Sequence, residues 1–155
     1  MSRMYSVVFA SVAITAQQDL FEIVAASGKP CVIHSIEIEQ STEVGDAQEE
    51  GLSLLWKDGS TTSGSGGSAP TPAPQTLGDA AAGFASEVNN TTKATAGTIL
   101  TKRAWNWNVR MPFLKVFTPE TRPVIAGGAR ATLELATTPA DSITVSGTIM
   151  VEELG

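Results

Sequence analysis

The sequence predicts an all-β domain: an antiparallel β-sandwich of about eight strands, with a jelly roll as the first choice of winding and an immunoglobulin-like sandwich as the second. Three observations lead there. Apolar and polar residues alternate with a period of two along most of the chain, the spacing of half-buried strands. Turn signals built on Gly, Pro, Asn and Asp recur between the alternating runs. No run with a 3.6-residue period is long enough to make a useful amphipathic helix.

The C-terminal run is the clearest element. Ile143, Val145, Gly147, Ile149 and Val151 face one way, and Thr144, Ser146, Thr148 and Glu152 the other. Before it, Ala131, Leu133 and Leu135 alternate with Thr132 and Glu134. Residues 137–141 form the turn between them, because Pro139 fixes φ and removes a ladder donor; the two strands need not pair. Residues 5–14 read as a strand buried in part on both faces. Residues 19–25 are a second strand, closed by the turn Ser27-Gly28-Lys29-Pro30. Residues 31–40 are a third, with Val32, His34, Ile36 and Ile38 on one face and Ser35, Glu37 and Glu39 on the other. Leu52, Leu54 and Trp56 share a face in a fourth strand, which ends at the turn signal Lys57-Asp58-Gly59. Asn89-Asn90-Thr91-Thr92 is a further turn. Trp105, Trp107 and Val109 alternate with Asn106, Asn108 and Arg110, and Phe113 to Phe117 continue that strand past a bulge at Pro112. Residues 123–126 are a short strand before the Gly127-Gly128 turn.

At 155 residues and 42% hydrophobic content, the chain can bury one core without metal or disulfide, so residues 1–155 are read as a single domain. Residues 61–78 differ in kind. The run TTSGSGGSAPTPAPQTLG has almost no apolar side chain and cannot by itself offset the entropy of ordering. It reads as a long Gly/Ser/Pro-rich surface loop within the domain, disordered or functional. Residues 41–50 form a shorter, acidic loop.

Charge and cysteine content narrow the function. The net charge is −6 and charged residues make up 17%. An acidic chain without a basic patch is a poor match to nucleic acid or to an anionic membrane surface. A lightly charged surface is cheap to desolvate against another protein. The single cysteine, Cys31, excludes an intramolecular disulfide. The opening residues imitate a secretory signal, with Arg3, an apolar run and Ala13-Ile14-Thr15-Ala16. Ser6, Ser11 and the β-branched content favour a strand instead, so the chain is expected to fold in a cytoplasm.

Each candidate for chemistry has a simpler structural reading. His34 is the one histidine; Cys31 lies on the opposite face of its strand, so neither a metal set nor a Cys–His pair forms. Asp46, Glu49 and Glu50, with Glu43 nearby, match no calcium-loop spacing and read as a solvated acidic loop. Asp19 with Glu22, or Glu152 with Glu153, could imitate paired glycosidase carboxylates, but carboxylates scattered on strands are common. Gly64-Ser65-Gly66-Gly67 lacks the Lys-Ser/Thr pair and following helix of a phosphate loop and reads as a flexible loop. Trp105 and Trp107 could stack on a sugar, but inward-facing aromatics usually fill cores or interfaces. The expectation is therefore no catalytic residue, no metal site, no cofactor and no enzyme.

The order of several short motifs carries a resemblance. They are Tyr5-Ser6-Val7, Asp19-Leu20-Phe21-Glu22-Ile23, Ser27-Gly28-Lys29-Pro30, Gly45-Asp46-Ala47, Thr62-Ser63-Gly64-Ser65-Gly66-Gly67, Thr118-Pro119-Glu120, Pro139-Ala140-Asp141 and Val151-Glu152-Glu153-Leu154-Gly155. In this order the chain resembles a family of short proteins encoded in tailed-phage and prophage structural clusters beside the major capsid protein. By likeness to capsid decoration proteins, the resemblance implies a jelly-roll decoration (cement) protein. Such a protein would bind the outside of a phage head and stabilise the shell, with the major capsid protein as partner and a trimer or dimer as oligomer. Residues 61–78 and the N-terminal strand are the expected parts that reach neighbours. The alternative expectation, resting on Trp105 and Trp107, is a carbohydrate- or receptor-binding module of a phage fibre or bacterial surface. A minor tail or head-completion protein is a third.

Overall fold

The computed structural model describes residues 2–42 and 49–155. Glu43, Asp46 and the motif Gly45-Asp46-Ala47 lie outside the described residues. Eleven strands form among those described: β1 (Arg3–Ile14), β2 (Gln18–Val24), β3 (Cys31–Gln40), β4 (Gly51–Thr62), β5 (Ala73–Pro74), β6 (Ala85–Asn90), β7 (Thr95–Asn108), β8 (Phe113–Val116), β9 (Val124–Ile125), β10 (Arg130–Leu135) and β11 (Ile143–Glu153). They make two antiparallel sheets. The six-stranded sheet runs β5-β1-β11-β3-β8, with β9 also paired to β3; the five-stranded sheet runs β6-β2-β10-β4-β7. The expected β-sandwich is therefore present.

The pairings are nested. β1 pairs with β11, β2 with β10, β3 with β8 and β4 with β7. β11 then adds to β3, and β10 to β4, which completes the two sheets. As expected, β10 and β11 do not pair. Between the sheets lie Tyr5, Val7 and Phe9 of β1, Ile36 and Ile38 of β3, Trp56 of β4, Trp107 of β7, Leu133 of β10, and Val145, Ile149 and Val151 of β11, all buried. Each such side chain contributes about 1.5–3 kcal/mol by leaving water. Aromatic edges and faces lock together there, with Phe9 and Phe21 ring centroids 5.2 Å apart and Tyr5 and Phe84 5.6 Å apart.

Several local expectations are corrected. Lys57-Asp58-Gly59 is not a turn: β4 runs through it to Thr62, and two register shifts absorb the irregularity, with Gly59 at φ +96°. Asn89 and Asn90 are not a turn either; they end β6 and are buried. Phe113 to Phe117 do not continue the tryptophan strand. The chain leaves the five-stranded sheet after β7 and enters the six-stranded one as β8. In β3 a register shift opposite Met150 and Val151 leaves His34 outside the ladder and switches the parity. Cys31 and Ile33 therefore point inward with Ile36 and Ile38, and Val32 and His34 do not. β1 is buried chiefly on its inner side, with Val8 and Ala10 exposed.

Candidate docking surface

The two outer faces of the sandwich differ. On the five-stranded sheet, Glu22 of β2 and Thr132 and Glu134 of β10 point outward, and a bulge at Leu20 brings Asp19 to the same side, yet all four are buried. Two segments of the chain cover them. One is the start of the Gly/Ser/Pro-rich loop after β4, and the other is the connection from β6 to β7. They hold each other through paired backbone hydrogen bonds between Ser65 and Thr92.

Underneath is a polar layer. Glu22 Oε2 accepts the Gly64 N–H at 3.0 Å, and its Oε1 accepts the Ser63 hydroxyl at 2.7 Å and lies 2.7 Å from Arg130 Nε. Asp19 accepts from the Ala94 N–H at 2.7 Å. Glu134 is bridged by Lys57 and by Lys93, the latter at 2.9 Å. Burial pushes the Asp19 carboxyl up to about 6, with Glu134 and Glu22 adding to the rise while the Ala94 N–H and Lys93 oppose it. Burial also acts to raise Glu134, but hydrogen bonds from Lys57 and Lys93 outweigh it and hold that carboxyl below its usual range.

The remainder of residues 61–78 is laid against the same domain. Ser68 exchanges backbone hydrogen bonds with Val88 on the outer edge of β6, Ser86 Oγ donates to the Pro70 carbonyl, and β5 pairs with β1. Gly64-Ser65-Gly66-Gly67 is thus a close-packed strap rather than a free loop. A Cβ at Gly67 would collide with the Val88 carbonyl, so glycine is needed there for close approach. Leu77, at the far end of the segment, is fully exposed.

No described segment covers the outer face of the six-stranded sheet. Residues opposite one another in an antiparallel ladder share a face, so the registers define rows across it. One row is Met4, Glu152, Val32 and Val124. The next is Ser6, Met150, Ser35 and Val116, and the third Val8, Thr148, Glu37 and Leu114. Val8 is 47% exposed, Leu114 61%, Val116 66% and Val124 52%, so this face carries four large apolar side chains open to water. A shallow depression of about 170 Å³ lies at its β1 side, lined by Val8, Ala10, Glu37, Glu39, Ser146 and Thr148. His34, bulged from β3 between Val32 and Ser35, places Nε2 2.7 Å from Glu152 Oε2, and that hydrogen bond is the main reason the Glu152 carboxyl sits below its usual range.

The other sequence candidates fall into structural roles. His34 is half-buried and hydrogen-bonded to Glu152, while Cys31 is wholly buried behind it. Burial, and then the neighbouring Glu153 charge, push the Cys31 thiol up to about 12. Glu153 points away from Glu152 into a buried position, where it accepts the Gly83 and Phe84 N–H groups at 2.7 and 2.9 Å and lies 3.5 Å from Lys29 Nζ. Asp19 and Glu22 hold the strap. Glu50 accepts from the Ala140 N–H and Glu49 from Asn108, and no group of acidic, His or Cys residues able to hold a metal occurs among the described residues. Trp107 is 2% exposed and donates its indole N–H to the Met111 carbonyl at 2.6 Å, so it has no open ring face. Trp105 is half-buried against Phe113 and Phe117. No helix among the described residues is long and apolar enough to cross a membrane.

Sequence reasoning missed Lys93, Ala94 and Arg130 as strap partners, and missed Leu114, Val116 and Val124 as a surface. The presence of Asp19 and Glu22 inside an otherwise apolar strand was the available signal for the first set. Comparison with known proteins returned nothing: no family model, no curated protein and no solved structure matches the chain.

Proposed function

We propose that this chain is a structural virion protein, a capsid decoration protein that adheres to the major capsid protein through the outer face of its six-stranded sheet. The observation that carries this reading is the asymmetry of the two faces. One is sealed by the chain's own strap over paired charges; the other leaves Val8, Leu114, Val116 and Val124 open to water. Exposed apolar side chains grouped on one sheet face, as Leu114, Val116 and Val124 are on β8 and β9, mark protein-binding sites. Glu37 and Glu39 border it, so a capsid surface with apolar residues flanked by Lys or Arg fits best. Support for the jelly-roll winding comes from the nested pairing of β1 with β11, β2 with β10, β3 with β8 and β4 with β7, the pattern of one long hairpin rolled on itself.

The action is mechanical. A specific contact buries roughly 1,000 Å² or more, and a capsid lattice repeats that contact at every equivalent position. The experiment is cosedimentation of purified protein with expanded capsids of the phage whose genome encodes it. Parent protein is expected to saturate the particles, and the double variant Leu114→Asp with Val116→Asp to bind at least about tenfold more weakly. Absence of cosedimentation by the parent, or equal binding by the double variant, overturns the reading.

A further inference from the structure

Residues 61–78 divide into a part that the domain uses and a part that it does not. Ser63 and Gly64 bond to Glu22, Ser68 to Val88, and the Pro70 carbonyl takes the Ser86 hydroxyl. Ala73 and Pro74 form β5 against β1. The turn after β5 has no such role. Its Leu77 is 100% exposed, against 66% for Val116, the next most exposed large apolar side chain among the described residues.

A lone exposed apolar side chain is common on a folded protein. Leu77 differs in how its backbone is held. It sits in a tight turn closed by the Asp79 N–H on the Thr76 carbonyl at 3.1 Å, with Gly78 at φ +94°, the left-handed value that the third position of such a turn requires. The turn is tied to β1 on both sides. Before it, the Gln75 N–H donates to the Met4 carbonyl at 2.8 Å and Gln75 Nε2 to Ser6 Oγ at 3.1 Å. After it, the hydroxyl of the buried Tyr5 donates to the Ala80 carbonyl at 3.0 Å. Pro70, Pro72 and Pro74 stiffen the approach by fixing φ. A side chain projected from a backbone already fixed gives up little entropy on binding.

The turn also stands in a useful place. Ser6 belongs to the open face of the six-stranded sheet, so its bond from Gln75 sets the base of the turn at the β5 margin of that face. Leu114, Val116 and Val124 lie at the opposite margin, on β8 and β9. The margins are roughly 19 Å apart at about 4.8 Å per strand. A specific interface covers roughly 800 Å² of each partner, a patch about 28 Å across. A round footprint of that size, centred on the face, passes over β5 and its turn.

We propose that Leu77 is the anchor of docking, a knob that enters an apolar pocket of the major capsid protein while the open sheet face lies over the surface beside it. Asp79 stands two residues on, so a pocket with Lys or Arg at its rim suits the turn, as it suits Glu37 and Glu39. The reach towards neighbours expected of residues 61–78 then falls to one side chain.

Insertion of Leu77 presupposes the capsid-binding reading, and one titration separates the two. Parent, Leu77→Ser and Leu77→Met are each cosedimented with expanded capsids over a concentration series, and each is melted in free solution. Leu77→Ser is expected to bind at least about tenfold more weakly, because burying a leucine moves an affinity by roughly ten- to a hundredfold. Leu77→Met keeps the apolar bulk and is expected to bind nearly as the parent does. All three should melt at the same temperature, since the side chain is open to water in the free protein. A parent that saturates the capsids beside an equally tight Leu77→Ser overturns the anchor and leaves the capsid-binding reading standing, and so does an equal loss in Leu77→Met and Leu77→Ser. A parent that does not cosediment overturns both.

Discussion

Arg130 Nε lies 2.7 Å from Glu22 Oε1 on the outer face of the five-stranded sheet, with the Glu22 side chain only 1% exposed. The same carboxylate takes the Ser63 hydroxyl and the Gly64 N–H. One buried charge on β2 thus joins β10 to a strap that has almost no apolar side chain of its own. Hydrogen bonds to a charged group are worth about 1.5–3 kcal/mol each, and here they do what hydrophobic burial cannot do for a Gly/Ser segment.

Glu22→Gln keeps the shape and removes the charge, leaving Arg130 without its counter-ion. Breaking one side of a buried pair costs about 3–5 kcal/mol, and the 16% exposure of the Arg130 side chain places the expected loss at the lower end. Guanidinium unfolding should show it as a lower midpoint, and limited proteolysis should open between residues 63 and 72. A loss below about 1 kcal/mol, the scale of a surface pair, would mean that the pair does not secure the strap.

Asp19 gives the fold a pH dependence of definite sign. Its carboxyl rises from 3.8 to about 6 on folding, chiefly through burial. The folded chain therefore holds a proton that the unfolded chain has released between those values. The stability this proton brings is complete below about pH 4 and is lost as the pH climbs towards 6. Asp19→Asn keeps an oxygen to accept the Ala94 N–H and has no proton to lose. Its stability relative to the parent should grow from pH 4 to 6 and then level off. Parallel stability curves for the two proteins across that interval would contradict the assignment.

Cys31 is expected to be chemically silent in the folded protein. The thiolate is the reactive form, and burial holds this thiol near 12, with no exposed surface. Alkylation by iodoacetamide at pH 8 should follow global unfolding and accelerate in denaturant along the unfolding curve. Rapid labelling of the native protein would reveal an opening of β3 that the packing of Cys31 and Ile33 does not anticipate.

Much of the fold was legible in the sequence because alternation is a local property. β11 follows its pattern without exception, and the strands around residues 19–25, 31–40 and 131–135 lie where alternation places them. Illegible features depend on partners. The bulge at His34 arises where β3 meets β11 and reverses which residues face inward. β4 continues through Lys57-Asp58-Gly59 because β7 pairs with it there, against a strong local turn signal. β6 was hidden because Asn89 and Asn90 are turn-prone residues, held in place by Gln18 and Glu87. The open apolar face was hidden because residues 113–117 were read as a continuation of the tryptophan strand, whereas they enter the other sheet as β8.

Alternation of apolar and polar side chains, read alone, was enough to determine an antiparallel sandwich and most of its core. Tertiary structure decided which outer face meets water. Period two states that Glu22, Glu134 and Leu114 all point away from the core, but not what lies above them. A strap from distant residues covers the two carboxylates, while nothing among the described residues covers Leu114. The physical reason is that side-chain direction follows from each residue's own backbone, whereas burial follows from chain segments that meet only after the sheets have formed.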